Sequence, residues 1–211
     1  LACYLFGFIK FPHDDETERK TTVPSFLLGI ASLAFSIYMI PGLWGAPTKA
    51  VSAFAPPMST QDFNLDAVKV EAKFTDYEKG MAYARQVGKP VLLDFTGFGC
   101  VNCRKMETAV WRDARVRDRI NKDYVLISLY VDDKTALPAP IEVEENGKIT
   151  TLRTVGDRWS YLQRNKFGAN AQPFYIPLDG EGQPLGPSRS YNENISEYVE
   201  FLDNGLKAYN K

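Results

Sequence analysis

The chain has 211 residues, 45% of them apolar, which is enough for one large or two small folded domains. A net charge of −1 and the absence of a polybasic run argue against a nucleic-acid binder. Three cysteines are too few to hold together a disulfide-rich scaffold, and at most one intramolecular pair can form among them.

The N-terminal part of the sequence predicts attachment to a membrane. Residues 23–45 carry no charge and exceed the roughly 20 apolar residues that cross a bilayer. We therefore expect a transmembrane helix over residues 23–46, preceded over residues 1–22 by the end of an earlier spanning helix and a cytoplasmic loop. A buried core helix is the alternative. A signal peptide fits poorly, because the apolar run 1–9 and a charged loop come first.

Basic residues indicate the orientation of this segment. Lys10, Arg19 and Lys20 lie in the loop before the predicted helix, and the positive-inside rule places such a loop in the cytoplasm. Everything after the helix then lies on the opposite side of the membrane. Residues 47–67 are rich in Pro, Ala, Ser and Thr, which is typical of a linker.

Residues 68–211 predict one folded domain in which strands and helices alternate, which indicates an α/β fold. In chain order we expect a helix over 76–87, a strand over 90–95, helices over 100–110 and 114–121, a strand over 124–131, a polar excursion over 132–155 with a hairpin at Asn146-Gly147, a helix over 157–167, a strand over 174–178, a further short strand after the Asp179-Gly180 turn, and a helix over 195–209.

The strongest chemical signal is the motif Cys100-Val-Asn-Cys103, directly after a predicted buried strand and at the start of a predicted helix. Helix N-termini stabilise thiolates, and cysteines so placed have pKa values of roughly 3.5 to 7.5. We expect Cys100 to be the exposed nucleophile. Cys103, nearly one helical turn further on, is expected to be the more buried thiol that resolves a mixed disulfide.

Metal and haem sites are the alternatives for such a motif. A zinc site needs four ligands, and only Cys3 and His13 are further candidates. A c-type haem would need His after the second cysteine, where Arg104 stands. A copper-chaperone module stays open, although such modules usually place the motif on a loop before the first helix. We expect no cofactor beyond the redox-active pair of Cys100 and Cys103, with Cys3 a packed thiol and His13 a solvated loop residue.

The residues from Lys89 to Glu107, KPVLLDF followed by a turn and CVNCRKME, resemble the thioredoxin superfamily. With an apolar helix and linker before them, they are most similar to the C-terminal periplasmic domain of the DsbD family of thiol:disulfide interchange proteins. This resemblance implies a thioredoxin-like fold, a central mixed sheet flanked by helices.

The resemblance also implies a function and a location. In the DsbD family a membrane domain draws electrons from cytoplasmic thioredoxin and passes them to this terminal domain. The terminal domain reduces an N-terminal partner domain and, through it, periplasmic disulfides that include those of cytochrome c maturation. The implied location is the bacterial inner membrane with this domain in the periplasm, and the implied partners are protein disulfides and an upstream membrane donor domain.

The same resemblance implies roles for two acidic residues near the cysteine pair. Asp94, six residues before Cys100, matches the buried acid of thioredoxins, which can shuttle the proton of Cys103 if burial raises its pKa towards neutrality. Its alternative role is a structural hydrogen bond at the strand end. Glu107 matches an acidic residue that follows the motif in DsbD-like sequences, and its alternative role is a solvated surface charge.

The expected substrate-binding residues lie on either side of the cysteines. Pro173 fits the proline that takes the cis form beside the active site of thioredoxin-like proteins and brings the Gln172 backbone within reach of a bound peptide. Gly99 stands where many thioredoxins carry Trp, with Phe98 one place earlier. We therefore expect substrate contact and reduction potential to differ from theirs.

The sequence thus predicts a membrane-anchored protein-disulfide reductase. A thiol oxidase or isomerase on the same fold is the first alternative, because direction depends on potential and partner. A non-catalytic binding module with a structural disulfide is the second.

Overall fold

A computed structural model describes residues 1–9, 11, 21–41, 70–145 and 147–210. Within it, residues 1–9, 11 and 21–41 belong to one structural unit, and residues 70–145 and 147–210 belong to another.

The N-terminal unit contains two helices, α1 (Ala2–Leu5) and α2 (Val23–Met39). The ring of Phe6, just after α1, lies 5.7 Å from that of Phe26 in α2. Helix α2 has 17 residues and ends shortly before Pro41, which has no N–H to continue it. In the described ranges no helix is both long enough and apolar enough to cross a membrane, so the transmembrane helix predicted over residues 23–46 is not supported.

Cys3 is exposed, so the prediction of a packed thiol is wrong. Helix α1, which carries Cys3, buries none of its four residues. His13, the basic residues of the predicted cytoplasmic loop and the predicted linker over 47–67 lie outside the described residues.

The second unit contains the α/β elements that the sequence predicts. Asp76 caps the start of the first helix, and Gly88 ends it in the left-handed region at φ 65°, so both boundaries follow from local residue chemistry. The elements are α3 (Tyr77–Val87), β1 (Val91–Thr96), α4 (Val101–Ala109), α5 (Ala114–Asp123), β2 (Val125–Tyr130), β3 (Ala136–Glu145), β4 (Lys148–Thr154), α6 (Val155–Phe167), β5 (Phe174–Leu178) and α7 (Ile195–Tyr209).

The central sheet has the strand order β2-β1-β5 and is mixed, as predicted. Strand β1 is parallel to β2 and antiparallel to β5, with Asp94 opposite Ser128 on β2 and Tyr175 on β5. The short strand expected after the Asp179-Gly180 turn is absent from the described residues of this region. Two isolated bridges, Leu178 to Pro184 and Tyr175 to Arg189, occur instead.

The two faces of this sheet are covered by different helices. Since side chains alternate along a strand, Leu93 faces one side of β1 and Leu92 the other. Leu93 belongs to a cluster with Met81 of α3 and Trp159 of α6. Leu92 belongs to a cluster with residues of α4, α5 and α7, and we call this side the α4 face. Asp94 has the same parity as Leu92, so it points to the α4 face.

The polar excursion forms an antiparallel hairpin of β3 and β4, as predicted, with its turn at Gly147. Its base is closed by two backbone hydrogen bonds: Val155 N–H donates to the Thr135 carbonyl (2.9 Å) and Gly156 N–H to that of Asp133 (3.0 Å). A reciprocal capping box of Thr154 and Asp157 begins α6 two residues before the predicted start.

Candidate active site

The two motif cysteines lie at the N-terminus of α4 and form a disulfide. Cys100 is the N-cap, and its Sγ accepts the Cys103 N–H at 3.2 Å. Cys100 is partly exposed, whereas Cys103 is 2% exposed. A backbone N–H aimed at the Cys100 sulfur, together with the helix dipole, favours a thiolate there once the pair is reduced.

Asp94 lies inside the domain, 2% exposed, on the face that α4 covers. Its Oδ2 accepts a hydrogen bond from the Ser128 hydroxyl at 2.8 Å, while Oδ1 has no hydrogen-bond partner among the described residues. Burial raises the pKa of Asp94 to about 7. The Ser128 bond lowers that pKa, the charge of Glu107 raises it, and the charge of Arg104 lowers it. Asp94 can therefore gain and release a proton near neutral pH.

Arg104, the residue after Cys103, is a buried cation that the sequence analysis did not assign to the site. It is 2% exposed, and its Nη2 donates to Thr96 Oγ1 at 3.1 Å and to the Gly97 carbonyl at 3.3 Å. The same nitrogen lies 2.9 Å from Glu107 Oε1. Glu107 is only 13% exposed, so it is not the solvated surface charge of the alternative interpretation.

A second carboxylate, that of Asp132 after β2, holds the turn before Cys100. Its Oδ1 accepts the Phe98 N–H at 2.8 Å and its Oδ2 accepts the Gly99 N–H at 2.9 Å. Gly97 makes room for it, because a Cβ there would lie 3.0 Å from Oδ2. The half-exposed ring of Phe98 stacks on Tyr130, with centroids 4.2 Å apart. Asp132 thus fixes a turn that carries two predicted substrate-binding residues.

The loop before β5 carries the other predicted substrate-binding residues, Gln172 and Pro173. The Gln172–Pro173 peptide bond is cis, as predicted. Gln163 of α6 is fully buried and holds this loop: its Nε2 donates to the Ala171 carbonyl at 2.8 Å, and its Oε1 accepts from Gln172 Nε2 at 3.1 Å. The support of this loop is therefore a pair of neutral amides.

The turn and the loop enclose a groove of about 430 Å³ next to Cys100. It is lined by Gly97, Gly99, Cys100, Val101, Asn102, Val131, Asp132 and Gln172. The structure therefore brings Gly99, Cys100 and Gln172 of the sequence-predicted site to one surface. Asp94 and Glu107 lie inside the domain rather than on the groove.

Residues 72–149 match a family described as thioredoxin-like. A stretch of 95 residues is 33% identical to the thiol:disulfide interchange protein DsbD of Ralstonia nicotianae. This part of the chain is therefore similar to thioredoxin-like proteins. The match to DsbD covers 39% of this chain and 16% of the Ralstonia protein, so the chain corresponds to a small part of that relative.

Solved structures resemble this chain at low sequence identity. The DsbH oxidoreductase has 16% identity and a TM-score of 0.46, with 67% of this chain and 89% of that chain covered. The reduced C-terminal domain of Neisseria meningitidis DsbD has 14% identity and a TM-score of 0.45, with 63% and 98% covered.

Ser128 and Asp132 contact the predicted site across 33 or 34 residues, and Gln163 contacts it across 8 or 9. Ser128 carried a signal that could have found it, since it is the only polar residue before Tyr130 in the apolar strand β2 and pairs in register with Asp94. Asp132 and Gln163 had no comparable local signal. Asp132 begins a polar excursion, and Gln163 lies within an ordinary amphipathic helix.

Proposed function

We propose that this thioredoxin-like domain is a protein-disulfide reductase that relays electrons from a membrane-embedded reductase to periplasmic protein disulfides. The observation that carries the proposal is the asymmetric cysteine pair: a partly exposed Cys100 at a helix N-terminus, bonded to a buried Cys103 on the helix that covers Asp94.

The reaction begins with the reduced pair. The Cys100 thiolate attacks one sulfur of a partner disulfide, a bond forms between Cys100 and the partner, and the second partner sulfur leaves as a thiolate. The groove beside Cys100, which Gly99 and Gln172 also line, offers a place for the chain around that partner cysteine.

The second step releases the partner. The Asp94 carboxylate accepts the proton of the Cys103 thiol, directly or through water, and the resulting thiolate attacks Cys100 Sγ. The Cys100–Cys103 disulfide forms and the partner leaves with both of its sulfurs reduced. A pKa of about 7 for Asp94 suits this exchange, since the carboxyl group can then lose the proton again at neutral pH.

A donor dithiol must then return two electrons to the Cys100–Cys103 disulfide. The likeness to DsbD, a thiol:disulfide interchange protein, supports thiol–disulfide exchange as the chemistry, and reduction of the partner is the proposed direction. A membrane-embedded reductase is the proposed donor, and the periplasmic side of the bacterial inner membrane is the proposed location. Substrates on the cytochrome c maturation route belong to the same proposal.

The reduction potential of the cysteine pair tests the direction. The 211-residue chain should carry Cys3→Ser, because the exposed third thiol would otherwise react with the redox buffer. After equilibration with glutathione and dithiothreitol, we expect a potential of roughly −220 to −270 mV from alkylation of the free thiols.

Two other results would contradict the proposal in different ways. A potential near about −120 mV would indicate an oxidant. A potential well below about −300 mV with negligible exchange would indicate a structural disulfide and hence a binding module. Cys103→Ser is the matched control, since it should retain attack by Cys100 and accumulate the mixed disulfide, whereas Cys100→Ser should not.

A further inference from the structure

The two supports of the groove differ in charge. The loop at Gln172 is held by the neutral amide of Gln163, whereas the turn before Cys100 is held by the carboxylate of Asp132. A hydrogen-bond acceptor is needed to hold that turn, but a negative charge is not.

The carboxylate of Asp132 contacts the residue directly before the nucleophile. Its Oδ2 is 2.9 Å from the backbone nitrogen of Gly99, the residue bonded to Cys100, and Asp132 and Cys100 line the same groove. The N–H groups of Phe98 and Gly99 are both directed at this carboxylate, so neither of them is free to stabilise a Cys100 thiolate.

We infer that Asp132 is a positioning residue that makes the Cys100–Cys103 pair a stronger reductant, by fixing the turn before Cys100 with a negative charge. This inference deepens the proposed reductase function and rests on it.

The physical argument has two steps. In the reduced state Cys100 carries a thiolate, and a nearby carboxylate makes that thiolate less favourable. The disulfide carries no charge and is not affected in this way. The carboxylate therefore raises the free energy of the reduced state relative to the oxidised state, and a pair with a destabilised reduced state gives up its electrons more readily.

Other charged groups near the pair belong to different elements. Asp94 lies on β1, Arg104, Lys105 and Glu107 lie on α4, and Asp133 follows Asp132. Arg104 and Glu107 pair with each other, and Asp133 Oδ1 accepts the Thr135 N–H at 2.8 Å. Arg104 Nη2 donates to the Gly97 carbonyl, whereas the carboxylate of Asp132 accepts the N–H groups of Phe98 and Gly99, the two residues directly before Cys100.

The test compares variants in the 211-residue Cys3→Ser chain. Asp132→Asn keeps an oxygen acceptor and removes the charge. We expect the equilibrium with glutathione to shift about tenfold towards the reduced domain, which is about 30 mV for a two-electron couple. We also expect the pKa of the Cys100 thiol, followed by the pH dependence of alkylation, to fall by about one unit.

Asp133→Asn is the matched control, because it makes the same charge change one residue away without touching the turn. It should leave the equilibrium within about twofold of the parent. Asp132→Glu keeps the charge and should also stay near the parent. If Asp132→Asn does not fold, Asp132→Ser replaces it with the same expectation.

Three results would overturn the inference: an unchanged equilibrium in the folded neutral variant, an equal shift in Asp133→Asn, or an equal shift in Asp132→Glu. Each of them leaves the proposed function intact as long as the parent chain exchanges with glutathione. A parent chain that fails to exchange would overturn the proposed function, and the inference with it.

Discussion

The interior of the α/β domain has two parts of opposite chemistry. Most of it is apolar, in two clusters on the two faces of the sheet. The second part, the polar interior, lies around the cysteine turn and the loop before Pro173. Among the described residues it contains every buried polar or charged side chain: Asp94, Thr96, Arg104, Ser128 and Gln163.

This separation assigns different roles to the two parts. Burying a polar or charged group costs free energy unless its hydrogen bonds and charge are satisfied, and Asp94 Oδ1 and Arg104 Nε have no hydrogen-bond partner among the described residues. The apolar clusters should therefore determine the stability of the domain. The polar interior should determine its proton and electron chemistry, at some cost in stability.

The largest effect is expected at Asp94. Its pKa rises from 3.8 to about 7 on folding, so the folded state binds the proton of Asp94 more tightly than the unfolded chain does. The stabilisation by the protonated group is full below pH 3.8 and is lost as the pH rises through 7. At about 1.4 kcal/mol per pKa unit, the ionised group costs about 4 kcal/mol above pH 7. Asp94→Asn should remove this cost and make the oxidised chain more stable than the parent at pH 8.5, but not at pH 4.

Urea unfolding of both chains at the two pH values measures this effect, and parallel pH dependences would contradict it. The same variant lacks the proposed proton acceptor of Cys103. Its disulfide exchange at pH 7 should be about 100-fold slower, which is typical for the loss of a general base. If Asp94→Asn is both more stable at pH 8.5 and slower in exchange, Asp94 serves the proton chemistry at a cost in stability.

A somewhat smaller effect is expected in the apolar interior. Leu93 is fully buried, and Leu93→Ala should lower the free energy of unfolding by about 3 kcal/mol through lost burial and an added cavity. The glutathione equilibrium of the folded variant should match the parent. Ile149→Ala, at a position 77% exposed on the hairpin, is the control and should change stability by less than about 0.5 kcal/mol. A shifted redox equilibrium in folded Leu93→Ala would contradict the assignment of the electron chemistry to the polar interior alone.

The smallest effect is expected at Ser128. Ser128→Ala removes the hydrogen bond that lowers the pKa of Asp94, so that pKa should rise further, with a stability loss of about 1 kcal/mol. The titration of the Asp94 carboxyl group, followed by infrared spectroscopy, measures the shift. In an Asp94→Asn background the serine substitution should leave the pH dependence of stability unchanged, and a remaining effect would point to a different titrating group.

The order of elements and the cysteine pair could be predicted from local sequence. Asp76 and Gly88 are cap residues at both ends of α3, and the apolar run of β1 leads directly into Cys100. Asp94 and Pro173 followed from the family resemblance, and the structure places Asp94 in the interior and Pro173 in a cis bond.

The supports of the site could not be predicted in this way. The hydrogen bonds from Phe98 and Gly99 to Asp132 span 34 and 33 residues. An aspartate that follows a strand carries no sequence pattern from which such distant donors could be predicted. Arg104 is next to Cys103 in sequence, yet arginine is usually exposed, and its burial depends on acceptors at Thr96 and Gly97. The membrane helix predicted over residues 23–46 is not supported, since α2 ends at Met39 and the described residues contain no helix both long and apolar enough to cross a membrane.

The closed base of the β3–β4 hairpin separates the tip of the hairpin structurally from the active site. Because the bonds from Val155 and Gly156 to the 133–135 segment seal the hairpin where it leaves the domain, changes at its exposed tip do not have to move Asp132. The tip at Gly147 is accordingly the place where inserted residues, a fluorophore or a new recognition sequence can be added at little structural cost. Partner choice could then change in evolution or by engineering while the electron chemistry at Cys100 stays constant.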